Sequence, residues 1–150
     1  MTNPLISVII PTYNRADVLG SAIGSVLRQT YRPVQLIVID DGSNDHTREV
    51  VRRFPGVQYG RQRHTGQGAA RNNGLRRARG SFIATLDSDD TWTPGFLSHC
   101  LTKLETAHLD FVFTNWIQKS RDQEQRDYLR TYPALTPFIE REQGNWVDLC

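Results

Sequence analysis

The chain has 150 residues, a length that suits one domain with a buried core. Hydrophobic residues make up 38% and charged residues 23%, which excludes a disordered chain, and no apolar run approaches the roughly 20 residues of a membrane span. Net charge is only +2, and the two cysteines, Cys100 and Cys150, match no metal spacing and are too few for a disulfide framework.

The apolar pattern alternates between strand and helix periods. Ile6 to Ile10 reads as a buried strand, and Leu19, Ala22, Ile23, Val26 and Leu27 then recur at helical spacing. Leu36 to Ile39 is a second strand that runs into Asp40-Asp41. A helix is expected from Asp45 to Phe54, stopped by Pro55-Gly56, with a short strand at Val57 to Tyr59. Gly68 to Ala78 reads as helical with Gly80 as its cap, and Phe82 to Leu86 as a fourth strand ending at Asp87. Thr93-Pro94 is a good helix start, and Leu97, Cys100, Leu101 and Leu104 share one face of the helix that follows, so Cys100 is expected in the core. Phe111 to Phe113 is expected as a fifth strand. After Trp116 the pattern fades: 119–130 is dense in charge without a stripe, and 131–150 reads as irregular. No function is read into Cys150.

This order implies an α/β, Rossmann-like domain: a mostly parallel sheet with helices on both faces. In such sheets ligands bind beyond the carboxyl ends of the strands. The polar clusters fall there: Thr12-Tyr13-Asn14 after strand one, Asp40-Asp41 after strand two, and Asp87 to Asp90 after strand four.

Asp87-Ser88-Asp89-Asp90 places three carboxylates in four residues, which repel one another. A divalent cation bridging them to a diphosphate explains that arrangement, and an acidic turn capped by Asp90 or Thr91 is the plainer alternative. An acid at the end of strand two suits a ribose or base contact, or simply caps the next helix. Tyr13 suits stacking on a nucleobase and Asn14 hydrogen bonding to it, although a loop aromatic is more often packing. Gly66-Gln-Gly-Ala-Ala-Arg71 starts like a dinucleotide fingerprint, but Arg71 stands where the third glycine belongs and the run follows the third strand. Pro11-Thr-Tyr-Asn14 lacks glycines, so a nicotinamide cofactor is rejected. Charge is also uneven: nine arginines and one acid, Glu49, lie between Arg48 and Arg79. That stretch is either a solvated basic face or an attraction for a diphosphate or lipid headgroup. Nucleic acid is excluded, since zinc-finger spacing, aromatic ribonucleoprotein motifs and a basic arm are all lacking.

Four blocks occur in order: Ser7 to Asn14 (SVIIPTYN), Val38 to Thr47 (VIDDGSNDHT), Gly66 to Gly74 with its Ala70-Arg-Asn-Asn-Gly74 end, and Leu86 to Pro94 (LDSDDTWTP). Together they resemble the N-terminal part of family 2 inverting glycosyltransferases, over roughly residues 5–116. The resemblance implies a GT-A fold, a nucleotide-diphosphate sugar as donor (a UDP-sugar favoured), a saccharide or lipid-linked acceptor, and Mn²⁺ or Mg²⁺ as cofactor. It places Thr12, Tyr13 and Asn14 around the nucleobase, Asp41 on the base with Asp40 beside it, and Arg71 in the nucleotide site. It assigns Asp87 and Ser88 to the nucleotide side of the DxD region, and Asp89 and Asp90 to the metal. Trp92 and Pro94 match that motif's structural continuation. His64 stands where relatives often have Asn and receives no role.

Relatives carry their catalytic base further downstream. Glu140, Glu142 and Asp148 lie in no family motif and read as surface charges, so the base is expected beyond Cys150 and the chain reads as truncated. Residues 1–117 are then the nucleotide-sugar-binding core, and 118–150 the incomplete start of an acceptor-side portion. The N-terminus lacks the charged and apolar parts of a signal peptide, so a cytoplasmic location is expected, with room for peripheral contact with a membrane. Other readings are a non-catalytic nucleotide-binding module, a sugar nucleotidyltransferase, which wants a glycine-rich loop after strand one, and a glycoside hydrolase using paired carboxylates.

Overall fold

The computed structural model describes residues 3–112, 114, 117–120 and 123–127. The chain divides into two compact units, residues 1–94 and 95–150.

In the first unit, β1 (Ile6–Thr12), α1 (Ala16–Leu27), β2 (Val34–Asp40), α2 (Thr47–Arg52), β3 (Gln58–Arg61), α3 (Gln67–Leu75) and β4 (Phe82–Thr85) follow in chain order. The four strands form a parallel sheet in the order β3-β2-β1-β4. β1 is buried along its whole length, as a central strand covered on both faces must be. It runs two residues beyond the predicted strand, through Pro11. Proline lacks an N–H, but pairing with β4 stops at Ile9 opposite Thr85, so Pro11 lies past the ladder it would interrupt.

The crossovers place helices on both faces. α1 and α2 pack on each other where Gly20 comes close to Val50 and Phe54. Leu19, Ile23 and Val26 form the buried stripe of α1, worth about 1.5–3 kcal/mol each. α3 lies on β1 and β2, with Ala70 and Ala78 against Ile37 and Ile39. Gly74 is required there, because a Cβ at this position would overlap Ile9. Ser7 fixes the return to β4: its buried hydroxyl donates to Gln35 Oε1 at 2.6 Å and accepts from the amides of Arg79 and Gly80. The strand order reverses beside β1, which sets a crevice at the carboxyl ends of β1 and β4.

The predicted third helix is shorter than its pattern. It ends at Leu75 with Arg76 as C-cap, and Gly80 belongs to the turn before β4.

The second unit carries α4 (Phe96–Thr106), β5 (Ile117–Ser120) and β6 (Gln123–Asp127). α4 starts after Gly95, two residues later than the Thr93-Pro94 signal. It buries Leu97, Cys100 and Leu101, and burial pushes the Cys100 thiol up to about 11. Phe111 and Val112, read as the start of a fifth strand, are in irregular structure, and Phe113 lies outside the described residues. β5 and β6 instead pair antiparallel across the charge-dense stretch. Trp116, Glu140, Glu142, Asp148 and Cys150 also lie outside the described residues. Among the described residues no helix is long and apolar enough to cross a membrane.

Candidate functional site

A cleft of about 270 Å³ opens at the carboxyl ends of β1 and β4, within the first unit. Of the residues singled out from the sequence, Thr12, Tyr13, Asp41, Asp87, Ser88 and Asp89 line it. Asn14, Asp40, Arg71 and Asp90 lie outside its lining and act around it.

Asp41 organises one wall. It is 2% exposed, yet its carboxylate is fully engaged. Oδ1 accepts from the Gln62 side-chain amide at 2.8 Å and the Thr65 amide at 2.9 Å. Oδ2 accepts from the Gly66 amide at 2.8 Å and faces His64 Nδ1 at 2.8 Å. Burial pushes this carboxyl up, but the bonds from Thr65, Gln62 and Gly66, with neighbouring His64, outweigh it and hold the group below the ordinary carboxylate range. Gly66 has φ 98°, a left-handed conformation that glycine takes without strain and that turns the chain into α3.

Asp40 serves a different structure. It too is 2% exposed, with Oδ1 accepting from the Ser43 amide at 2.7 Å and Oδ2 from the Tyr59 hydroxyl at 2.6 Å. Burial first, then this carboxylate, push the Tyr59 hydroxyl well above its usual range. Asp40 therefore ties the β2–α2 turn to β3 and does not face the cleft. Asn14, at φ 50°, links the first two loops: its amide donates to Ser43 Oγ at 2.9 Å and its Oδ1 accepts from the Asn44 amide at 2.8 Å. Asp45 closes the same seam by accepting from the Ala16 amide at the start of α1.

Tyr13 stacks on His64 with ring centroids 4.0 Å apart and planes 20° from parallel. His64 also lines the cleft, and it is the residue that the sequence reading left without a role. Its partners lie 51 residues before it (Tyr13) and 23 before it (Asp41), so no local pattern marks it. The usable signal was its place in the loop that enters α3. Thr12 is 3% exposed, and its Oγ1 is buried with no hydrogen-bond partner among the described residues, an unmet polar group in the cleft lining.

The opposite wall is acidic. Arg71 Nη2 donates to Asp87 Oδ1 at 2.6 Å, and Gln67 Nε2 reaches the same oxygen at 3.1 Å. Arg71 thus fixes Asp87. Arg15, which also lines the cleft, lies 3.9 Å from Asp89. Burial, then Asp89 and Asp87, push the Asp90 carboxyl upward, so these acids stand close enough to repel. Among the described residues no group of three His, Cys, Asp or Glu side chains converges as a metal cage. The donor chemistry nevertheless fits a hard cation with a partial shell: oxygen ligands only, in mutual repulsion, on an open turn. Asp89 and Asp90 are the available donors, because Asp87 is held by Arg71 and Gln67.

A parallel sheet with a polar cleft at its strand-order reversal defines a Rossmann-like α/β domain. The chain belongs to glycosyl transferase family 2, whose sequence profile matches residues 7–148. It is 30% identical over 171 aligned positions to the putative teichuronic acid biosynthesis glycosyltransferase TuaG of Bacillus subtilis, covering 99% of this chain and 68% of that protein. It is 36% identical over 119 residues to the UDP-Glc:alpha-D-GlcNAc-diphosphoundecaprenol beta-1,3-glucosyltransferase WfgD of Escherichia coli, covering 77% of this chain and 47% of that one. Among solved structures it resembles S. aureus TarS with TM-score 0.66 at 24% identity, over 79% of this chain and 37% of TarS. It also resembles the mannosyltransferase PcManGT of Pyrobaculum calidifontis, in complex with GDP-Man and Mn²⁺, with TM-score 0.62 at 28% identity, over 69% of this chain and 33% of that one. The fold is that of the GT-A transferases. The chain spans about two thirds of TuaG and about half or less of the other relatives named here.

Proposed function

We propose that this chain forms the donor site of a glycosyltransferase that moves a sugar from a nucleoside-diphosphate sugar, a UDP-sugar by preference, to an acceptor hydroxyl with inversion. The observation that carries this reading is the convergence, in one cleft, of the Tyr13–His64 ring pair, the unmet Thr12 hydroxyl and the 87–90 acids. The rings suit a nucleobase, the hydroxyl suits a polar atom of the nucleotide, and the acids suit a cation on the diphosphate. In this reading residues 1–117 hold the donor and 118–150 begin the acceptor side.

Asp89 and Asp90 would hold Mn²⁺ or Mg²⁺, whose charge offsets that of the departing diphosphate. Arg71 keeps Asp87 in place, and Arg15 adds positive charge at the cleft. The acceptor oxygen forms its bond to the anomeric carbon as the bond to the diphosphate oxygen breaks. The electron pair leaves with the diphosphate, and the hydroxyl proton passes to a carboxylate base outside the described residues. The names of WfgD and TuaG favour a lipid-linked saccharide in cell-envelope polysaccharide synthesis, and with it peripheral contact with a membrane.

The test is incubation of the protein with UDP-sugars and diphospholipid-linked saccharides. Metal-dependent release of UDP, with a product of inverted anomeric configuration by NMR, supports the reading. Sugar release without nucleotide release contradicts it, and tight nucleotide binding without transfer to any acceptor reduces it to a binding module.

A further inference from the structure

The acids at 87–90 stand on a turn that is held at both ends, and the hold at its exit comes from a buried side chain far back in the chain. We infer that Gln29 is a positioning residue for the cation side of the cleft: its amide fixes the exit of the acidic turn and so sets where Asp89 and Asp90 stand. This rests on the reading of those two acids as cation ligands.

The entrance of the turn is fixed by β1 and α3. The Leu86 amide donates to the Ile9 carbonyl at 3.1 Å, Leu86 is buried, and Arg71 and Gln67 hold Asp87. The Asp90 amide then donates to the Asp87 carbonyl at 3.1 Å, which closes the turn and leaves Asp89 and Asp90 exposed. Thr93 and Pro94, which follow, are exposed as well, so burial does not place them. Hydrogen bonds from the residues just past α1 do. Gln29 Nε2 donates to the Thr93 carbonyl at 2.7 Å, and the Thr30 amide and hydroxyl donate to the Pro94 carbonyl at 2.8 and 3.1 Å.

Gln29 is only 3% exposed, and its own backbone amide donates to the Val26 carbonyl, so it has a fixed place beyond the helix. Nε2 also donates to the Ser25 carbonyl at 3.2 Å. Both partners are carbonyl oxygens, so the nitrogen must face them, and neither an apolar nor an acidic side chain can replace it. Burying an amide is costly unless it is bonded. A side chain needed only to finish α1 would bond to α1 alone, whereas the shorter of these two bonds spans 64 residues to the exit of the acidic turn.

The test is calorimetric titration of Mn²⁺, with UDP in excess, into the wild type, Gln29→Met, Gln29→Glu and Tyr59→Phe, each shown to be folded by circular dichroism. Methionine keeps the length of the side chain without the donor, and glutamate sets a carboxylate against two carbonyls. Mn²⁺ affinity should fall about tenfold in Gln29→Met, the worth of one well-made hydrogen bond, and at least as far in Gln29→Glu. Tyr59→Phe loses a buried hydrogen bond away from the turn and should match the wild type. A second readout needs no variant. An anchor that favours the cation is favoured by it in return, so hydrogen exchange at the wild-type Thr30 amide should slow about fivefold or more in UDP with Mn²⁺ relative to UDP with EDTA. Wild-type Mn²⁺ affinity in a folded Gln29 variant, an equal loss in Tyr59→Phe, or a Thr30 amide indifferent to Mn²⁺ overturns the inference and leaves the cation site standing. A wild type that binds no Mn²⁺ in the presence of UDP removes both.

Discussion

The two walls of the cleft treat acidic side chains in opposite ways. On the β2 side, Asp40 and Asp41 are almost fully buried and every carboxylate oxygen has a protein partner. On the β4 side, Asp89 and Asp90 are exposed, and Asp90 is pushed upward by burial and by its neighbours. The first wall is preorganised and contributes to folding. The second carries mutual repulsion, which a nearby positive charge or loss of one of the negative charges relieves. Acids of one residue type, at the ends of the two strands that flank β1, are therefore bonded into the protein in one place and left open to solvent in the other.

The sharpest way to break this contrast is Asp41→Ala. It removes the acceptor for two backbone amides, an amide side chain and an imidazole, and hydrogen bonds to a charged group are worth about 1.5–3 kcal/mol each, without simple additivity. A loss of about 3 kcal/mol in urea denaturation is expected, together with loss of nucleotide binding. The same wall sets the acid limit of the fold. The folded-state values of Asp41 and Asp45 lie below the ordinary 3.8, so their contribution is present above that value and drains away as pH falls through the lower folded values. Asp41→Asn should accordingly flatten the stability profile below about pH 4 in acid titrations followed by circular dichroism.

Tyr59→Phe tests whether Asp40 belongs to the architecture. Removing the donor to its buried carboxylate should cost about 1–2 kcal/mol in the same denaturation experiment, with nucleotide affinity unchanged in calorimetry. A fall in affinity at full stability would instead place Asp40 in the ligand site. Across the cleft, Asp90→Asn should behave in the reverse way. It relieves repulsion, so the melting temperature stays level or rises slightly, while Mn²⁺ affinity in the presence of nucleotide falls. The smallest effect is expected from Arg15→Ala, whose exposed pair with Asp89 at 3.9 Å should be worth at most about 0.5 kcal/mol in a thermal melt.

Much of the first wall's framework was legible in the sequence, because its strands are buried on both faces and read as near-continuous apolar runs: Ile6 to Ile10, interrupted only by Ser7, and Leu36 to Ile39. The helix stripes at Leu19, Ile23 and Val26 and at Leu97, Cys100 and Leu101 were equally plain. The β5–β6 hairpin was not, since apart from Ile117 its residues are charged or polar and no apolar alternation sets a register. Strand ends gave the place of the site, but not the partition between Asp40 and Asp41. Adjacent strand residues point to opposite faces, and which one meets the cleft depends on where the 62–66 loop returns. His64 stayed hidden for the same reason, as its stack and its hydrogen bond are both contacts between distant parts of the chain.

The central claim, that the cleft joins a nucleotide-binding wall to a cation-binding one, is tested most directly by calorimetric titration of UDP in Mn²⁺ and then in EDTA, with wild type and Asp89→Ala. The account predicts binding in Mn²⁺ that is lost in EDTA and in Asp89→Ala, from a variant that melts like the wild type. Binding of equal strength in all four conditions would contradict the role given to the acidic wall. No binding of UDP, GDP or TDP to the folded wild type would contradict the nucleotide site itself.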